Sequence, residues 1–240
     1  MNEPQTQTKQ TLAFLSAKGG TGQTLIASNM AYLASKRNPT LFIQLTEYPD
    51  AHTFFNTNDE KHFAHIIDFL ENKEDLIETF RTLTYKVDNL HIVLSPKNSS
   101  DLKNITDDHI TNFLKAASMI FETIVIDIGI EFKNADPILK QSDKIIVISN
   151  LDPQSITRTN RLVENLEKDF PQTRKHLIIN QTPLKVSKKE FQKYFKKEVS
   201  YVLPFDHESA WDNIAFSTPY TTKTSKLSKK TEEILDKILT

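Results

Sequence analysis

The chain has 240 residues, enough for one domain whose core needs no cross-links. Its formal net charge of −1 does not call for nucleic acid or an acidic partner, and the absence of cysteine excludes disulfides and thiolate metal sites. No apolar run approaches the ~20 residues of a membrane span. The polar stretch from Met1 to Gln10 lacks a signal-peptide core, so a cytoplasmic protein with a disordered tail over residues 1–10 is expected.

Short β-branched runs alternate with helical patterns along the whole chain. Strands are expected at 12–15, 40–45, 90–94, 123–128, 144–149, 176–180 and 200–203. Helices are expected at 25–35, 62–70, 74–83, 107–117, 135–141, 155–169, 188–196 and 229–239. Several strands are nearly continuous apolar runs, as in strands buried on both faces. The expected fold class is therefore α/β: three layers, a mostly parallel twisted sheet with helices on both faces. Right-handed crossovers then gather the loops after the strands along one edge, where ligands bind. No repeat, low-complexity tract or linker divides the chain, so residues 1–240 read as a single domain; 98–100 and 217–228 read as short loops.

The octet Ala17-Lys18-Gly19-Gly20-Thr21-Gly22-Gln23-Thr24 lies between the first strand and the helix beginning at Leu25. Strand, glycine loop and helix is the context of a phosphate-binding P-loop, with the helix N-terminus aiming N–H groups at an anion. The chain has four glycines, and three of them stand at 19, 20 and 22, where backbone must approach a ligand closely. Lys18, Gly19, Gly20, Thr21, Gly22, Gln23, Thr24 and Leu25 form the candidate nucleotide-binding loop. Thr24 holds the position whose hydroxyl ligates Mg²⁺. Ile124-Val125-Ile126-Asp127 is a buried strand ending in a carboxylate, which makes Asp127 the second candidate Mg²⁺ residue. Asn180, ending another strand, can donate to and accept from an adenine edge at once, or can serve as a turn residue.

The octet resembles the deviant Walker A loop of the ParA/MinD ATPases, which carries an extra lysine before the paired glycines, here Lys18. The resemblance continues in family order through Leu25 to Ala31, Phe121 to Asp127, Ser142 to Ile148, Asn180, Val202-Leu203-Pro204-Phe205-Asp206 and Thr218-Pro219. It implies that ATP and Mg²⁺ are the cofactors and that Asn180 and Pro204 lie at the base. It also implies that Lys18 crosses a homodimer interface to the partner's nucleotide and is the one catalytic candidate. Within the family the chain is most similar to the CpaE/TadZ branch, localisation factors of tight-adherence pili, which often keeps the first lysine and replaces the second, as Lys18 and Gln23 do. Asp75-Leu76-Ile77 and Leu90 to Pro96 resemble the middle section of that branch. Many of its members carry an N-terminal receiver-like domain, whereas this chain starts almost directly at its first strand.

Two departures bear on chemistry. Position 23 is glutamine in place of the Walker lysine; since a charge-assisted hydrogen bond is worth ~1.5–3 kcal/mol, phosphate binding is expected to weaken about ten- to hundredfold. Active members of the family follow the second strand with two aspartates, and here Gln44 and Thr46 stand at those positions. Glu47 substitutes only if the strand has ended before it, because a one-residue shift on a strand reverses the face. Hydrolysis suffers most, since charge on the transferred phosphate stabilises the transition state.

The seven histidines show no metal-ligand spacing. The terminal pattern Ile234, Leu235, Ile238 and Leu239 fits a helix packed on the sheet, or a membrane-surface helix such as MinD relatives carry. Phe191, Tyr194 and Phe195 form a core stripe beside lysines where a ParA-type protein would contact DNA. The expected function is a degenerate ParA/MinD-like positional or assembly scaffold, CpaE/TadZ-like, partnered by a polar pilus or secretion apparatus. The alternatives are an active ParA-type ATPase for DNA partition and a MinD-like regulator at a membrane surface.

Overall fold

The structure, a computed structural model, describes residues 9–58, 60–71, 75–183, 187–206 and 225–240. Eight strands form one sheet: β1 (Gln10–Ser16), β2 (Thr40–Leu45), β3 (Tyr85–Val87), β4 (Leu90–Val93), β5 (Thr123–Ile128), β6 (Lys144–Ser149), β7 (Arg174–Thr182) and β8 (Val199–Pro204). Their order is β3-β4-β2-β5-β1-β6-β7-β8. All neighbours are parallel except β3, which is antiparallel to β4 at the edge. The described helices are α1 (Gln23–Ser35), α2 (His52–Phe55), α3 (Phe63–Glu71), α4 (Leu76–Leu83), α5 (Ser99–Lys103), α6 (Asp107–Ile120), α7 (Asp136–Gln141), α8 (Pro153–Asp169), α9 (Lys188–Gln192) and α10 (Lys226–Leu239).

The expected three-layer α/β class is observed. Every residue of β2, β5 and β6 is buried, the polar Gln44, Asp127 and Lys144 included, because helices cover both faces of these mostly apolar strands. Alternation along each strand divides the core in two. Ile43, Leu45, Ile126 and Val147 face α3, α6, α7 and α8 through Phe63, Phe113, Ile138 and Val163. Phe14, Phe42, Val125 and Ile146 face α1 and α10 through Ile26, Met30, Ile234 and Leu235.

β1 lies at the centre, with β5 on one side and β6 on the other. The chain leaves it toward β2 on the first side and reaches β7 and β8 on the second, so the strand order reverses there. That switch point, at the carboxyl ends of β1 and β5, is where open parallel sheets bind ligands.

Several expectations need correction. Gln10 belongs to β1 and is not part of a tail: its backbone N–H donates to Glu122 O at 2.8 Å and its side chain to Leu239 O at 2.6 Å. Residues 99 and 100 open α5 rather than a loop, and α10 begins at Lys226, inside the expected 217–228 loop. Thr218-Pro219 and residues 1–8 lie outside the described residues. The lysine-rich helix is shorter than expected, 188–192, with Phe191 and Phe195 buried. Three of the five lysines between 188 and 197 meet acids: Lys188 pairs with Glu198 at 3.2 Å, Lys197 with Glu167 at 2.5 Å, and Lys196 with Glu164.

The terminal apolar stripe is interior. Leu227, Ile234, Leu235 and Ile238 of α10 are buried against α1 and β8. The Lys144 ammonium fixes the end of α10 by donating to Ile238 O and to Gln10 Oε1. Among the described residues no helix is long and apolar enough to cross a membrane. Leu235→Ala should lower unfolding stability by about 2–5 kcal/mol in urea denaturation; an unchanged midpoint would mean that the stripe is available to a lipid surface instead.

Candidate nucleotide site

The site begins where β1 ends. Gly20 and Gly22 hold φ of 76° and 81°, a left-handed conformation that glycine tolerates and that turns the chain into α1. Gly22 is the N-cap of α1, whose first N–H groups lack intrahelical partners and point at the cavity. Gly22 is also fixed by packing: a Cβ there would lie 2.4 Å from Asn180 Nδ2. The same Nδ2 donates to Thr21 O at 2.9 Å, so Asn180, buried at the end of β7, braces the loop from behind.

A cavity of about 290 Å³ opens over the loop, lined by Gly19, Gly20, Thr21, Gly22, Gln23, Thr24 and Leu25 together with Asp127. The structure thus brings most of the expected residues together. Lys18, Asn180 and Pro204 are not in the lining; Pro204 pairs with Thr182 at the end of β8. The Lys18 ammonium is drawn to Asp152, 3.0 Å away. Asp152 N-caps α8 through its Oδ1, which accepts from Gln154 N and Ser155 N at 3.1 and 3.0 Å. The lysine and these amides hold the Asp152 carboxyl below the usual range.

Gln23 stands where the Walker lysine would. Its Nε2 donates to Phe14 O at 3.0 Å, Asp127 Oδ1 at 2.7 Å and Ile128 O at 2.8 Å, tying the loop to the ends of β1 and β5. Gln44 is the cross-strand neighbour of Asp127. Its Nε2 donates to Asp127 Oδ2 at 3.2 Å and to Asp50 Oδ1 at 2.8 Å, and its Oε1 accepts from Asp50 N and Ala51 N, both at 3.1 Å. Burial pushes the Asp127 carboxyl up to about 6; hydrogen bonds from Thr24, Gln23 and Gln44 oppose the shift, and Asp50 adds to it. Three neutral donors do not offset what burial of a charge costs.

β2 ends at Leu45, so Glu47 is indeed past the strand. Its side chain nonetheless lines a neighbouring cavity, with Lys103 and Lys133, rather than the one over the loop. Among the described residues the carboxylates in the loop cavity are Asp50, Asp127 and Glu131, and its lining holds no lysine, arginine or histidine. Sequence reasoning missed Glu131, which follows Asp127 by four residues. Glu131 Oε1 accepts from Thr46 Oγ1 at 2.5 Å and from Glu47 N at 2.7 Å. Burial raises its carboxyl, but the Thr46 and Glu47 donors outweigh that and hold it below the usual range. A signal was present in the fourth glycine, Gly129: a Cβ there would lie 2.5 Å from Glu131 Oε1 and 2.7 Å from Thr46 Oγ1.

The residues fit a nucleotide phosphate in shape and only partly in charge. Thr21 Oγ1 is buried with no partner among the described residues, a donor suited to an anion. Thr24 and Asp127 line the same cavity, where two groups sharing one Mg²⁺ would stand.

No family model and no curated protein matches this chain. Solved structures do. A ParA family ATPase from Chlorobium tepidum TLS superposes with a TM-score of 0.85 at 19% identity, over 96% of this chain and 98% of that one. The fold is that of ParA and MinD. The septum site-determining protein MinD from Pyrococcus horikoshii OT3, complexed with Mg-ADP, gives 0.77 at 14% identity, covering 95% of each chain. A putative plasmid partition protein from Borrelia burgdorferi B31, bound to AMPPNP, gives 0.72 at 18% identity, over 97% of this chain and 98% of that one.

The raised Asp127 carboxyl has a consequence for stability. Below an unfolded-state pKa near 3.8 the group is neutral in both states and costs nothing; as pH rises through about 6 the native state must hold a buried charge and stability falls. Asp127→Asn should therefore be more stable than the parent by about 1–3 kcal/mol at pH 8, a gain that disappears toward pH 4 in thermal unfolding. An equal gain at both pH values would assign the effect to packing.

Proposed function

We propose that this protein is a ParA/MinD-type positioning protein whose P-loop is kept for its shape and for weak nucleotide binding, with little or no hydrolysis. The observation that carries the reading is the cavity itself: three carboxylates, no cation, and a glutamine amide hydrogen-bonded to Asp127 where an ammonium would meet phosphate. Likeness to ParA and MinD structures over nearly the full chain supports the class. Retention of Lys18 beside replacement of position 23 supports a CpaE/TadZ-like scaffold that marks the place of a pilus or secretion assembly.

When bound, Mg²⁺ would neutralise part of the phosphate charge, and Thr24 and Asp127 are the groups to hold it. The α1 amides and Thr21 would bind phosphate oxygens, while Asn180 keeps the loop closed from behind. Gln44 and Thr46 are neutral and spend their hydrogen bonds on Asp50, Asp127 and Glu131, so neither takes a proton from water.

A homodimer is the assembly we infer. Tyr48 and Ile130 line the cavity rim and remain 80% and 58% exposed, an apolar border suited to a second copy. In that dimer Lys18 would exchange Asp152 for the partner's nucleotide. The buried stripe of α10 and the acid-paired lysines after residue 187 favour this protein-scaffold reading over membrane or DNA binding.

Titration of the purified chain with Mg·ATP by calorimetry tests the reading. Gln23→Lys should bind about ten- to hundredfold more tightly than the parent, since it restores a charge-assisted donor. Equal affinity in the two proteins would show that position 23 does not limit binding, and the degenerate-site reading would be abandoned.

A further inference from the structure

The cavity over the loop contains a carboxylate, Glu131, held by two donors. In a P-loop the backbone amides cradle the inner phosphates, and the side chain at the Walker lysine position reaches toward the outer ones. Here that side chain is Gln23, which donates to Asp127 and Ile128 at the end of β5. The next residues of that loop, Gly129, Ile130 and Glu131, together with Thr46 from the loop after β2, line the same cavity beyond it. Glu131 Oε1 sits between a hydroxyl and a backbone amide, Thr46 Oγ1 at 2.5 Å and Glu47 N at 2.7 Å. Those are the two kinds of donor that an outermost phosphate oxygen would take.

We propose that this site prefers a nucleoside diphosphate to a triphosphate, and that Glu131 sets the preference by holding the place of the third phosphate. The inference rests on the nucleotide reading above. Gly129 permits the arrangement: any Cβ at that position would collide with both Glu131 Oε1 and Thr46 Oγ1. It is the single glycine of the chain outside the P-loop. Asp50 and Asp127 share the cavity, so a third phosphate would bring its charge up to a carboxylate cluster with no cation in the lining. A diphosphate ends before Glu131 and keeps the loop amides, Thr21 and Thr24. The Glu131 carboxyl remains ionised because Thr46 and Glu47 donate to it, and an ionised group repels phosphate at neutral pH.

The test is calorimetry with Mg·ADP and Mg·ATP on the full chain and on Glu131→Gln, which keeps an acceptor oxygen for Thr46 and Glu47. The parent should bind ADP about tenfold or more tighter than ATP. In Glu131→Gln the ratio should fall to about threefold or less, chiefly through tighter ATP binding. A parent that binds ATP as tightly as ADP would overturn the inference and leave the nucleotide reading standing. So would an unchanged ratio in a folded Glu131→Gln. Absence of binding by both nucleotides to both proteins would overturn the inference and the nucleotide reading together. If the variant does not fold, the parent's ADP-to-ATP ratio decides alone.

Discussion

Asp127, next to last in β5, lines the cavity yet is only 2% exposed, and its charge is met by amide and hydroxyl groups. A carboxylate in that position costs several kcal/mol unless something positive faces it. In this chain the usual ammonium is replaced by Gln23, and the cross-strand neighbour is Gln44. The rest of the site follows from that absence of charge. Gln23 turns inward and joins the loop to β1 and β5; Gln44 divides its amide between Asp127 and the turn that opens α2. The arrangement is a closed hydrogen-bond network that holds a P-loop in shape with no positive charge aimed into it.

The two groups that could have countered this negative cavity are engaged elsewhere. Lys18 pairs with Asp152, the N-cap of α8, and Asn180 fills the space behind Gly22. Both contacts hold the loop rather than a ligand.

Much of this was legible in the sequence. Seven strands could be placed because continuous apolar runs between helical patterns leave little choice, and the loop, Thr24 and Asp127 could be placed because their spacing is chemical. β3 escaped because its three residues sit at a half-exposed edge, without the buried run that marks its neighbours. α2 and α5 escaped because four or five residues are too few to show a helical period. The stripe on α10 could not be assigned by pattern, since a core face and a lipid face look alike until the partner, here α1 and β8, is known. Glu131 was missed for a different reason. No motif names it, and its role depends on Gly129 and Thr46, which only the fold brings beside it. For Asn180 the sequence left open a base contact or a turn residue; its bond to Thr21 O depends on a loop that only the fold brings beside it.

The fold, shared with ParA and MinD structures, places a glycine-rich cavity at the carboxyl ends of β1 and β5. Among the described residues its lining holds three glycines of the loop and no cation, with the exposed Tyr48 and Ile130 at the rim. The most direct test is phosphate release from Mg·ATP at saturating concentration, with enough enzyme to detect a single turnover per chain over hours. The account predicts release no faster than from buffer containing denatured protein. Steady turnover on the order of 10⁻² s⁻¹, the scale of a slow GTPase with its catalytic arginine in place, and its loss in Lys18→Ala, would contradict it.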